Sequence, residues 1–183
     1  VDVWSDTSVH PPALTKILVV SVAKNPVKRR IWEDAFTGEL VLHNVAATPS
    51  YRVYPDSPPD TDQVYAIVRS NNYDGILVTS QLPPETKSQY VQGYVTREQE
   101  MRYSPTRDRF FAYYRDIEHS GYVDSETVNI RTIDVWQTAN DGLMIWSGTC
   151  RSTEPNSVPS VRPEIVRLVT ADLTRKGIIA SEK

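Results

Sequence analysis

Six of the seven residues from Ile17 to Ala23 are apolar, and the chain then reads Asn25-Pro26. An apolar run without alternation buries both faces, as an interior strand of a parallel sheet does. Asparagine caps a helix with its side-chain oxygen. Proline suits the first helical position because its missing N–H has no helical partner there. A buried strand feeding straight into a helix commits the chain to an α/β layout. The helix is expected to run to about Leu42, with Val27, Ile31, Trp32, Ala35, Phe36 and Leu40 as its apolar stripe. Arg29 with Glu33, and Arg30 with Asp34, stand four apart and are placed on the wet side.

The same grammar repeats. A second strand is expected around Ser50–Tyr54, stopped by Pro55, Pro58 and Pro59. Asp60 or Asp62 starts a second helix that turns Val64, Tyr65, Ile67 and Val68 inward. Asn71-Asn72 ends it, since asparagine tolerates the left-handed exit. Tyr73–Thr79 is then a third buried strand. Short helical returns imply right-handed crossovers and a strand order of 2-1-3. Glu126–Thr138 and Leu143–Thr153 read as two long antiparallel strands around an Ala139-Asn140-Asp141-Gly142 turn. Gly148 suits a bulge or a close approach. After a loop at Pro155–Pro159, a last helix runs from about Ser160 to Lys176. Ile165, Val166, Val169 and Leu173 face inward, and Gly177 caps it. The fold class is α/β: a βαβαβ parallel unit extended by a long antiparallel hairpin, with a C-terminal helix and a single mixed sheet. Residues 1–14, with Pro11-Pro12, read as a flexible tether. Residues 15–180 form one domain, carrying an excursion at about 82–122.

That excursion is the part that exceeds structural need. Gln81–Tyr122 holds six of the ten tyrosines and two of the three phenylalanines, mixed with charge. Tyr90, Tyr94, Tyr103, Phe110, Phe111, Tyr113, Tyr114 and Tyr122 are the candidate interaction surface, because exposed aromatics beside arginine are what interfaces enrich. The competing reading has these rings cover the second face of the sheet; both can hold. A second candidate is an anion site at Ser21, Lys24 and Asn25, beyond the carboxyl end of the first strand and at a helix N-terminus. Against it, the loop has no glycine to let backbone approach a phosphate.

Other chemistry is sparse. The chain has no nucleophile elbow, GxGxxG, P-loop or HExxH. His10, His43 and His119 share no metal-ligand spacing, and Asp56, Asp60 and Asp62 lack the glycine of a calcium loop. No catalytic residue, metal or cofactor is expected, and the protein is read as non-enzymatic. Twenty basic residues against twenty-three acidic give a net charge of −3, which speaks against nucleic acid. The Lys28-Arg29-Arg30 triplet reads as a solvated helix face. One cysteine, Cys150, excludes an intramolecular disulfide and reads as a structural thiol. No apolar run approaches the roughly twenty residues of a bilayer span.

Three segments together resemble a group of uncharacterised bacterial envelope lipoproteins. They are Asn71-Asn72-Tyr73-Asp74-Gly75-Ile76-Leu77-Val78, then Tyr90-Val91-Gln92-Gly93 with the tyrosine-rich stretch after it, then Thr132–Trp136 through Leu143–Thr149. Leu173–Ile179 fits the closing helix of that group. Gln92 stands where the group has proline, and Met144-Ile145 where Leu-Val is common. The group's strand order looks similar to the N-terminal domain of TolB, to CsgG and to LpoB. The resemblance implies a periplasmic, lipid-anchored protein that acts through contacts with other envelope proteins. A lipid-bearing cysteine would lie upstream of Val1, so Cys150 is not it. The resemblance carries no catalytic residue. A homo-oligomer, as CsgG-like proteins form, and a small-ligand or phosphate-binding protein are the other readings.

Overall fold

The computed structural model describes residues 1–6, 8, 12–139, 142–153 and 158–180; the side chains of Phe111 and of residues 158–160 are not described. In chain order the strands and helices are β1 (Asp2–Ser5), β2 (Lys16–Val22), α1 (Pro26–Leu42), β3 (Ala46–Pro49), α2 (Thr61–Asn71), β4 (Gly75–Val91), β5 (Tyr94–Ser104), β6 (Arg109–His119), β7 (Tyr122–Gln137), β8 (Leu143–Thr153) and α3 (Val158–Arg175). The chain divides into two units, Val1–Glu85 with Val128–Lys183, and Thr86–Thr127.

The first unit is built on a sheet of order β1-β8-β7-β4-β2-β3. β2 pairs in parallel with β3, Lys16 opposite Ala46, and with β4, Ile17 opposite Gly75. The parallel part therefore has the expected 2-1-3 order. Just outside β4 and β7, Thr138 N–H donates to Asp74 O, and within them the Ser80 and Thr132 hydroxyls meet at 2.7 Å. Partner numbers rise on one strand as they fall on the other, so the hairpin half joins antiparallel. Contrary to a single mixed sheet, β5 and β6 form a second, two-stranded sheet. The first fourteen residues also contribute an element, since Asp2–Ser5 pairs with Ser147-to-Thr149 and Trp146 of β8.

Local signals set the ends of the helices. Asn25 Oδ1 accepts from the N–H groups of Val27 and Lys28 at the start of α1. Asp60 and Gln63 form a reciprocal capping box on α2, and Asn72 leaves it at φ 54°. Gly177 leaves α3 at φ 70°. On one face of the sheet, Trp32, Phe36 and Leu40 of α1 and Ile165, Val166, Val169 and Leu173 of α3 pack on Ile17, Val19, Leu77, Ile133, Val135 and Trp146. On the other, α2 puts Ile67 and Val68 against Leu18 and Val20. Tyr65, expected inward, is 46% exposed.

Two expectations fail for one reason. β3 ends at Pro49, before the strand expected at Ser50–Tyr54, and Ser50–Arg52 form a turn of 3-10 helix. That turn brings Ser50 and Tyr51 against α1. Arg29 and Glu33 are not on the wet side: they are 1% and 0% exposed, with Arg29 Nε 2.9 Å from Glu33 Oε1. Glu33 also accepts from Ser21 N–H, Ser50 Oγ and Tyr51 N–H, while Arg29 donates to Tyr54 O and Ser50 Oγ. Val27 and Ile31, expected in the stripe, are exposed. The buried face of α1 is thus rotated toward a pair that spacing alone assigned to solvent.

At Gly148 what comes close is an indole, not a neighbouring backbone. A Cβ there would stand 2.5 Å from the ring of Trp146. The break in the β7–β8 register lies elsewhere, between Val135 and Trp136. His10, the Asn140-Asp141 turn signal and the loop residues 154–157 lie outside the described residues.

Candidate interaction surface

The second unit is a ribbon. β5 and β6 pair antiparallel from Tyr94 opposite His119 to Ser104 opposite Arg109. Opposite charges face each other across it. Arg97 holds Asp116 through both of its hydrogen bonds, at 2.6 and 3.0 Å, and Glu98 stands opposite Arg115. The Arg97 guanidinium keeps the Asp116 carboxyl below its ordinary value. At the tip, Arg107 N–H donates to Ser104 O, Asp108 takes φ 49°, and the Tyr103 hydroxyl donates to the Asp108 carboxylate.

Side chains alternate along a strand. The register therefore puts Val95, Met101, Tyr103, Phe110 and Tyr114 on one face, together with Arg97, Gln99, Ala112, Asp116 and Glu118. Tyr94, Glu98, Glu100, Arg102, Tyr113 and Arg115 take the other. The first face is mixed, and its five large apolar and aromatic side chains are all exposed, from 50% at Tyr103 to 63% at Phe110. Tyr103 and Phe110 lie with ring centroids 5.3 Å apart, an edge-tilted pair. On the other face Arg102 sits over the Tyr113 ring at 5.0 Å. Tyr94 stacks on His119 at 4.5 Å.

Of the eight aromatic residues singled out in the sequence, Tyr90, Tyr94, Tyr103, Phe110, Tyr113, Tyr114 and Tyr122 are exposed; the side chain of Phe111 lies outside the described residues. None of these seven belongs to either apolar cluster of the first unit. Among the described residues, Thr86–Thr127 contains no buried side chain.

At the other candidate, the loop after β2, the three residues have separate fates. Ser21 is buried, the Asn25 oxygen is taken up by two α1 amides, and Lys24 stands exposed. A groove of about 620 Å³ lies beside α2, lined among others by Val20, Val64, Tyr65, Arg69, Val78 and Trp136. Among the described residues no three His, Cys, Asp or Glu side chains converge as a metal site. Cys150 is buried, and burial pushes its thiol up.

No family model and no curated protein matches the sequence. Solved structures do. A Leu-to-Met variant of the PelC dodecamer from Paraburkholderia phytofirmans is 14% identical at a TM-score of 0.52, with 98% of each chain covered. A second PelC dodecamer from that organism gives 14% and 0.50 over the same share. A PDZ domain protein from Parabacteroides distasonis is 10% identical at 0.38, covering 88% of this chain and 31% of its own. The likeness to PelC is one of fold.

Proposed function

We propose that this is a non-enzymatic, periplasmic envelope protein that assembles with copies of itself, using the exposed aromatic and apolar side chains on one face of the β5–β6 ribbon as its contact surface. The observation that carries the reading is that face: Val95, Met101, Tyr103, Phe110 and Tyr114, exposed on an isolated two-stranded ribbon. Two strands alone are marginal in water, and a row of exposed apolar side chains beside unpaired edges marks a binding site. The envelope part rests on the sequence resemblance to envelope lipoproteins, which also motivates a lipid anchor and contacts with other envelope proteins. The oligomeric part is supported by the shared fold with PelC, whose solved forms are dodecamers.

Sedimentation velocity of the whole chain tests it. The protein is expected to run as a concentration-dependent oligomer. The quadruple variant Met101→Ser, Tyr103→Ser, Phe110→Ser, Tyr114→Ser should run as a monomer, with the unfolding of the first unit unchanged. An oligomer that survives the four substitutions rejects the ribbon as the contact.

A second reading, a small-ligand protein, is favoured by the groove beside α2. Its volume and its apolar walls, with Arg69 and Asp134 among the polar groups, suit a compact organic molecule. A ligand screen by thermal shift decides it, with Trp136→Ala expected to remove any stabilisation.

A further inference from the structure

One row of side chains across the α1/α3 face of the sheet is polar. Ser21 on β2 stands opposite Thr79 on β4, and Arg131 on β7 stands opposite Cys150 on β8. Strand alternation puts Ser21 on the same face as Val19, Thr79 with Leu77, and Arg131 with Ile133, all of which belong to the large core cluster. The row is sealed: Ser21 and Thr79 are 0% exposed and Arg131 is 9% exposed. Arg131 donates to Thr79 Oγ1 at 3.1 Å and to Gln81 Oε1 at 3.4 Å, and its guanidinium lies on the Trp32 ring, 3.8 Å from the centroid. From α3, Arg162 approaches the same indole at 5.8 Å.

Two cations therefore meet around one aromatic ring. Among the described residues, neither is ion-paired with a carboxylate. Glu33, next to Trp32 in sequence, is taken by Arg29, Ser50 and the Ser21 and Tyr51 amides. Cys150, opposite Arg131, carries a thiol that burial pushes up. Burial pushes Arg131 down to about 10, with Cys150 acting against the shift and the neighbouring Arg162 adding to it. Two donors are left unused as well: Arg162 Nε and Ser21 Oγ are buried with no hydrogen-bond partner. A buried cation with neutral acceptors only is costly, and unmade buried hydrogen bonds add to it.

The place is also one that ligands favour. From β2 the chain crosses to β3 on one side, and β4 lies on the other, so the order switches at β2. Ser21 and Thr79 sit near the carboxyl ends of β2 and the parallel part of β4, beside that switch, where open α/β sheets take ligands. Arg162, beside the row on α3, is only partly buried.

We propose that this row is an oxyanion site: a phosphate- or sulfate-class group binds between Arg131 and Arg162, with the Ser21 hydroxyl donating to it and Trp32 as its apolar wall. The anion supplies the charge that both guanidiniums lack and the acceptor that Ser21 Oγ and Arg162 Nε lack. The fork of a guanidinium matches a tetrahedral oxyanion. The site lies wholly in the first unit and does not depend on assembly through the ribbon.

Thermal unfolding of the whole chain, at constant ionic strength made up with chloride, tests it with inorganic phosphate and with glycerol phosphate. Inorganic phosphate at millimolar concentration is expected to raise Tm by a few degrees and to saturate. Arg162→Gln should abolish the rise, and Ser21→Ala should weaken phosphate binding about fivefold. Arg131→Met should abolish the rise and leave the phosphate-free protein at least as stable, because an unpaired buried charge is gone. A tighter response to glycerol phosphate identifies an ester headgroup as the source, and a weaker one the free anion; either supports the site. No phosphate-specific rise, or a rise retained in both arginine variants, overturns the proposal. If Arg131→Met does not fold, the Arg162→Gln result decides alone.

Discussion

At the scale of single residues, the pair Arg29–Glu33 shows how burial reverses the meaning of a spacing. On a wet helix face an i,i+4 pair contributes about 0.2–0.5 kcal/mol. Here both side chains are enclosed, with every polar contact made by Ser21, Ser50, Tyr51 and Tyr54. Removing one partner strands the other charge, so Arg29→Met or Glu33→Gln should cost about 3–5 kcal/mol in urea unfolding. A cost within the range of a surface pair would contradict the network. Asp172 is a second such residue. Burial pushes its carboxyl up, but the Trp146 indole N–H, Lys176 and Arg175 outweigh it, and the net shift is below the ordinary value. The unfolded chain then binds a proton at higher pH than the folded one. Asp172 stabilises the fold above the ordinary carboxylate range, and that share is lost as pH falls through the depressed folded value. Asp172→Asn should lower stability near neutral pH by on the order of 1 kcal/mol and flatten its dependence on pH in the acid range. An unchanged acid profile would remove Asp172 from the account.

At the scale of elements, what the sequence makes legible is what neighbours in the chain determine. The Asn25-Pro26 start, the Asp60 cap, the Asn72 exit and the Gly177 stop are local hydrogen bonds and backbone angles, and each is where the residues point. The last helix buries the four residues its spacing selects. Strands set by partners far along the chain were less legible. β3 ends at Pro49 because the following turn is drawn onto α1 by Glu33 and Arg29, contacts across 17 to 25 residues. β1 is invisible until β8 offers its edge. Two substitutions test the local layer. Asp60→Ala removes the capping box and should cost about 1 kcal/mol. Gly148→Ala drives a methyl into the Trp146 ring, a contact that must be relieved by moving a wholly buried indole, and should cost about 1–3 kcal/mol. Both are read from urea midpoints at unchanged m. A neutral Gly148→Ala would show that the ring has room.

At the scale of the whole molecule, the two units follow different rules. The first is held by apolar layers on both faces of a sheet. The second has cross-strand charge pairs and exposed rings, and no buried side chain among its described residues. The aromatic content of this stretch was plain in the sequence; its pairing was hidden. The signal that reveals it is mirror symmetry: Arg97 and Asp116, and Glu98 and Arg115, stand equidistant from the Thr106-Arg107 step. Folding about that step brings Val95, Met101, Tyr103, Phe110 and Tyr114 onto one face around the Arg97–Asp116 pair, which composition alone does not show. The polar row of Ser21, Thr79 and Arg131 was hidden for a related reason, since it exists only once three strands lie side by side.

Hydrogen–deuterium exchange of the intact chain, followed at low and high protein concentration, tests the assembly reading most directly. The account predicts that amides of β5 and β6 exchange quickly in dilute protein and become protected as concentration rises, while β2 and α1 stay protected throughout. Exchange in the ribbon that is already slow in dilute protein, or that ignores concentration, would contradict it.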